Sequence, residues 1–180
     1  MRKDAPGPGA GFSLVELLAS TAVFALLLGL ALPTFHETVL RLRAASAMHQ
    51  LGTQLAQARN TAITARVPVT VCPSRGGGRC LGEPDWSAGW LLYRDPGRSE
   101  QPRQPEDILR DIRQPVHRSI RVLASSGRLR VRYQPDGRSG GSNLTLRVCA
   151  DDSLRGEVVV NNIGRVRMQG APVDAPCPRQ

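Results

Sequence analysis

Arginines separated by a single residue are the main chemical pattern in this chain. Arg128, Arg130 and Arg132 fall in "SGRLRVRYQPDG", and Arg165 and Arg167 in "NNIGRVRMQG". Leu129, Val131 and Val166 occupy the positions between, so a strand, with its period of two, puts the arginines of each set on one face. Arg147 on a third strand and Arg155 in a turn add to the same field. A guanidinium keeps its charge at any ordinary pH, so the chemistry on offer is binding and not proton transfer. Its planar fork grips a phosphate or carboxylate bidentately. Asp151, Asp152 and Glu157 lie near the later rows in sequence. Cationic rows without acidic partners repel one another, which points to an external anionic partner; the alternative is a merely solvated arginine-rich face.

The whole chain leans the same way. It has 180 residues with 24 basic against 15 acidic side chains, a net charge of +9. Lys3 is the only lysine, so the cationic chemistry is almost entirely guanidinium. Such an excess favours solubility or a polyanionic partner and says nothing about fold. No catalytic constellation accompanies it. "GGGRC" lacks the Gly-Lys-Ser/Thr of a phosphate loop, and neither a G-x-S-x-G elbow nor H-E-x-x-H occurs. His36 and His49 fall on a helical stretch and are read as solvent-facing or groove residues, and His117 falls in a loop; Asp151 and Asp152 read as a charged turn, with cation binding as the alternative. No enzymatic activity, cofactor or metal site is expected.

Cys72, Cys80, Cys149 and Cys177 lack the spacing of a zinc knuckle. An even count behind an apolar N-terminal segment reads as two disulfides formed in an oxidising compartment, with free buried thiols as the alternative. Of three possible pairings, Cys72–Cys80 and Cys149–Cys177 are favoured: the first closes the short ring "CPSRGGGRC" and the second ties the tail to a strand.

The elements that must carry these residues change character along the chain. From Phe12 to Leu32 the only strongly polar side chain is Glu16, and those residues span about 31 Å as a helix, enough for a bilayer core. A cleavable secretory signal fits poorly, because the small residues "GAG" precede the apolar run. A carboxylate inside such a run costs roughly 2.5 kcal/mol or more, so Glu16 needs a partner. Pro33 is expected to bend or locally melt the helix. Beyond it Met48, Leu51, Leu55, Ala58 and Ala62 form a helical stripe, so the helix is expected to run from about residue 12 to 66. From Val67 the period becomes two. "VPVTVC", "WLLYRD", "SIRVLA", "RLRVRYQ", "LTLRVCA", "EVVVNN" and "GRVRM" read as seven short antiparallel strands, separated by turns such as "DPGR" and "PDGRSGGS". "DPGRSEQPRQPEDILRDIRQP" reads as a long connecting loop with one helical turn. The fold class is therefore α+β: one long helix packed on an antiparallel β head.

At "GFSLVELL" the sequence resembles the type IV prepilin signature of pilins and pseudopilins. The resemblance implies cleavage by a prepilin peptidase between Gly11 and Phe12, and methylation of the new N-terminus at Phe12. Glu16 then becomes the fifth residue, whose carboxylate pairs in the filament with the N-terminal amine of a neighbouring subunit. A buried charge is tolerable when so paired. Loss of Arg2, Lys3 and Asp4 with the leader takes the net charge from +9 to +8.

The head resembles the FimT/GspH branch of minor pilins and pseudopilins through "VTVCPS…C", "GWLLYRD", "YQPDGRSGG" and "VNNIGRVR". That likeness implies a leader over 1–11, a transmembrane and filament-core helix over 12–33, an amphipathic helix over 34–66 and a β-rich head over 67–180. It implies a single-pass inner-membrane protein of a Gram-negative bacterium, with a periplasmic head, that joins other pilins through its N-terminal helix. "GRVR" resembles the Gly-Arg-x-Arg element with which FimT-type pilins contribute to DNA binding during transformation. Gly164 would bring the backbone close to a phosphate, and Arg165 and Arg167 would grip phosphates of double-stranded DNA. Arg128, Arg130, Arg132, Arg147 and Arg155 are further candidates. A structural minor pseudopilin of a type II secretion apparatus, with no DNA role, is the competing expectation.

Overall fold

Leu40, Ala44, Ala47, Leu51, Leu55, Ala58 and Ala62 recur at steps of three and four, and all are buried. One face of a helix built this way is wholly apolar, and its alanines let other elements approach closely. In the computed structural model, which describes residues 13–125, 127–172 and 175–178, this stripe belongs to a helix α1 spanning Leu14–Ala65. Ser13 caps its start: the Ser13 Oγ accepts from the Glu16 N–H at 3.2 Å. The helix is continuous through position 33, so the expected local melting at Pro33 does not occur. It ends where Arg66 turns left-handed (φ 53°) ahead of Pro68.

The chain divides into two units, Met1–Thr38 and Val39–Gln180. In the first, the described side chains are exposed apart from the half-buried Glu37 and are largely apolar, among them Leu17, Phe24, Leu27 and Phe35. Within α1 lies a segment long and apolar enough to cross a membrane, with a mean hydropathy of 2.2 and none of it buried.

In the second unit the helix packs on two four-stranded antiparallel sheets. The strands are β1 (Val69–Pro73), β2 (Gly89–Arg94), β3 (Ile108–Arg113), β4 (Ile120–Ala124), β5 (Val131–Tyr133), β6 (Leu144–Ala150), β7 (Ser153–Val160) and β8 (Val166–Gly170). Their orders are β3-β2-β1-β5 and β4-β6-β7-β8. Val69, Val71, Trp90, Leu92 and Val131 of the first sheet share one core with the helix stripe and with Val122, Leu146, Val148, Val158 and Val160 of the second. A smaller core of Cys72, Cys80, Leu91, Tyr93 and Ile108 forms separately. Both favoured disulfides are formed, Cys72–Cys80 and Cys149–Cys177.

Two expectations change. The stretch from Asp95 to Pro115 is not only loop: after a single 3-10 turn at Pro105–Asp107 it forms edge strand β3. Leu92 pairs with Arg110 but Tyr93 with Ile108, so Leu109 is an extra, bulged residue. A bulge breaks the alternation by which strands are recognised. Second, "RLRVRYQ" is not a strand throughout. Pairing begins only at Val131, and the Arg128 side chain donates to backbone carbonyls of Arg130 and Ser139.

Candidate functional site

The arginine rows separate into two kinds once their neighbours are in place. Arg132 lies in β5 beside Thr70 of β1, and its Nε donates to Asp95 Oδ2 at 2.6 Å. Asp95 is fully buried and also accepts from Thr70 Oγ1 at 2.7 Å and from the Ser99 N–H at 2.6 Å. A desolvated carboxylate survives in this way, ringed by donors and one cation. Arg130 reaches the Glu100 carbonyl at 3.2 Å and its carboxylate at 3.7 Å. Arg128 donates to the carbonyls of Arg130, Ser139 and Ser142. Its burial lowers the guanidinium pKa from the usual value. On the other sheet Arg147 pairs with Glu157 across the β6–β7 register at 3.3 Å. Arg155 lies in strand β7 rather than in a turn, and is engaged as well.

These partners answer the electrostatic question that the rows raise. Their repulsion is relieved inside the protein, chiefly by Asp95, Glu100 and Glu157 and by loop carbonyls. Arg132 in particular latches the 95–101 loop onto β5, since its Nη2 also holds the Ser99 carbonyl at 2.9 Å.

Arg165 and Arg167 differ. Both are exposed, and among the described residues neither guanidinium makes an ion pair or hydrogen bond. Arg167 is in β8, an edge strand, opposite Val159, while Val166 packs on the core. The β7–β8 hairpin turns through Asn161–Arg165. Asn161 Oδ1 accepts from the Arg165 N–H at 2.8 Å, and the Gly164 N–H donates to the Asn161 carbonyl at 2.9 Å.

Gly164 has a role the sequence does not show. Its φ is +80°, and a Cβ there would sit 2.0 Å from the Gly137 carbonyl oxygen. The close backbone approach is thus to another turn of the protein. The Ser139 N–H donates to the Asn162 carbonyl at 3.0 Å, and Ser139 Oγ to the Asn161 carbonyl at 2.8 Å. Arg59 of α1 clamps both turns, with Nε on the Gly137 carbonyl at 3.0 Å and Nη2 on the Ile163 carbonyl at 3.4 Å. Neither Arg59 nor Ser139 stands out in sequence, because each acts on backbone far along the chain.

At the other end of the chain, Gly11 and Phe12 lie outside the described residues. Glu16 is exposed at the third position of α1. There the positive end of the helix dipole favours a carboxylate. The pattern Ser-x-x-Glu at residues 13–16 is a helix-start signal that the membrane reading passes over. His36, His49 and His117 are all exposed. No group of three or more His, Cys, Asp or Glu side chains suited to a metal ion occurs among the described residues.

A long N-terminal helix whose second part packs on an antiparallel β head stapled by two disulfides defines the class of type IV pilin-like filament subunits. The sequence pattern of type II transport protein GspH matches residues 47–164, and the chain belongs to that family, as a minor pilin or pseudopilin of the FimT/GspH type. The fold is similar to that of the type IV minor pilin FimU of Pseudomonas aeruginosa (strain PAO1). One crystal form aligns with a TM-score of 0.55 at 17% identity, covering 76% of this chain and 94% of FimU. A second form gives 0.51 at 15% identity, covering 74% and 96%. Among curated proteins no match is found.

Proposed function

We propose that this protein is a minor pilin whose head binds DNA non-specifically through Arg165 and Arg167, and so aids DNA uptake in natural transformation. The observation that supports this reading best is the contrast between the rows: Arg128, Arg130, Arg132 and Arg147 are satisfied internally, while Arg165 and Arg167, on an edge hairpin, have no ion pair or side-chain hydrogen bond among the described residues. Two forks held on a clamped hairpin suit phosphate oxygens, which position nucleic acid without reading its sequence. On this reading a prepilin peptidase cuts between Gly11 and Phe12 and Phe12 is methylated. The apolar helix then rests in the inner membrane of a Gram-negative bacterium, with the head in the periplasm. Glu16 meets the N-terminal amine of a neighbouring pilin on assembly.

The full chain in a non-ionic detergent, titrated against two unrelated DNA duplexes in gel shifts, tests the DNA role. Equal affinity for both, falling linearly on a log–log plot as salt rises, supports it. Absence of retardation at low salt refutes it. The second reading is a structural minor pseudopilin of a type II secretion apparatus without a DNA role. The family's description as a type II transport protein favours it, and the family match ends at residue 164, just before the two arginines.

A further inference from the structure

Turn 134–139 and hairpin 161–165 come from distant parts of the chain and are locked into one surface. The first turn is closed by the Gln134 N–H on the Arg138 carbonyl at 2.7 Å and the Gly137 N–H on the Gln134 carbonyl at 2.8 Å. Gly137 and Ser139, on either side of Arg138, both touch the hairpin, as described above. Arg138 and Arg165 are each one residue away from the Gly137–Gly164 backbone contact. At 3.8 Å per residue step their Cα atoms therefore lie within roughly 10 Å of one another.

Arg138 itself is exposed, and among the described residues its guanidinium makes no ion pair or hydrogen bond. The nearest carboxylate in sequence, Asp136, is turned to the backbone instead, its Oδ1 accepting from the Arg138 N–H at 2.9 Å. We infer that Arg138 is a third phosphate-contacting residue, so that the nucleic-acid surface is a composite of two turns and not of the Gly-Arg-x-Arg hairpin alone. The inference rests on the DNA-binding reading of Arg165 and Arg167. Duplex DNA presents a charge about every 1.7 Å of its axis, counting both strands, so exposed guanidiniums on two adjoining turns find phosphates in any sequence. The Arg59 clamp and the Ser139 bonds fix the two turns before DNA arrives, which limits the ordering cost of binding.

The test compares the full chain in detergent with Arg138→Ala, Arg165→Ala/Arg167→Ala and Arg110→Ala, titrating one duplex across a salt series. Arg110 is exposed on β3, the edge strand opposite β5 in its sheet, and its loss changes the net charge as much as that of Arg138. Arg138→Ala is expected to melt like the parent and to flatten the log K against log salt slope by about 0.9. The parent's advantage over it should then shrink about 3.5-fold between roughly 50 and 200 mM salt. Arg110→Ala should leave the slope unchanged. If Arg165→Ala/Arg167→Ala flattens the slope and Arg138→Ala does not, the composite surface is wrong and the hairpin reading stands. If neither does, the DNA reading fails and takes this inference with it. If Arg110→Ala flattens the slope as much as Arg138→Ala, the effect is the general field of the protein and Arg138 is no contact.

Discussion

Replacing Arg132 by alanine separates an arginine that holds the fold from one that holds a ligand. Its Nε lies 2.6 Å from an Asp95 carboxylate whose side chain has no exposed surface, while the Arg132 side chain is 25% exposed. Truncation leaves a buried charge with only neutral donors, from Thr70 and Ser99. Orphaning one member of a buried pair costs about 3–5 kcal/mol. The low end, about 3 kcal/mol, applies here because those donors remain and the guanidinium is partly solvated. For a chain of this size that corresponds to a fall in Tm of about 6–12 °C. The assay is thermal and denaturant unfolding of the full chain in detergent, with Asp95→Asn/Arg132→Ala as the partner variant. The double variant should lose less than the sum of the two single changes, since the two side chains are directly coupled. The salt slope of DNA binding should match the parent's. An unchanged Tm with a slope flattened by about 0.9 would refute the reasoning and make Arg132 a phosphate contact.

Other outcomes follow from the same geometry. Gly164→Ala forces a left-handed backbone on alanine, about 1–3 kcal/mol, and drives a methyl into the Gly137 carbonyl; both melting temperature and DNA affinity should drop, while an unshifted Tm would mean the turns are not locked. Tyr133→Phe should be neutral or stabilise by up to about 1 kcal/mol, because the buried hydroxyl has no hydrogen-bond partner among the described residues. Burial raises the pKa of Tyr133 in the folded state against the opposing pull of Arg59 and Arg128. Its contribution is therefore fully present below the unfolded value of about 10 and is lost as pH rises above it. The phenylalanine variant should show a shallower loss of stability on alkaline unfolding. The disulfides close separations of 8 and 28 residues. In the loop-entropy relation these correspond to about 2.5 and 3.6 kcal/mol, so Cys149→Ser/Cys177→Ser should melt lower than Cys72→Ser/Cys80→Ser, and the reverse order would contradict that relation here.

Most of the fold is legible in the residues because the periodicities are local. The helix stripe through Leu51, Leu55, Ala58 and Ala62 and the alternation of β6 and β7 each follow from a window of a few residues. Strand β3 is not legible because the bulge at Leu109 sets Ile108, Leu109 and Ile112 out of phase, and prolines on both sides read as loop. The arginines show the sharper limit. Arg130 and Arg132 look alike in sequence to Arg165 and Arg167, yet Asp95 reaches Arg132 across a separation of 37 residues. Local charge patterning cannot register a partner that far away. Arg59 acts on Gly137 across 78 residues and Ser139 on Asn161 across 22, so the clamp that positions the hairpin is likewise a property of the assembled core. The hairpin itself, with its Asn, Gly and paired arginines, is readable. Gly164's reason for being glycine is readable only in part: a turn needing φ above zero is suggested, but the Gly137 carbonyl behind it is not.

The salt dependence of DNA binding by the full chain and by Arg165→Ala/Arg167→Ala, measured in parallel, tests the central claim most directly. The account predicts that the parent binds unrelated duplexes alike and that the double variant, with an unchanged Tm, flattens the log–log slope by about 1.8, two phosphate contacts at about 0.9 each. Binding by the double variant with the parent's affinity and slope would contradict it.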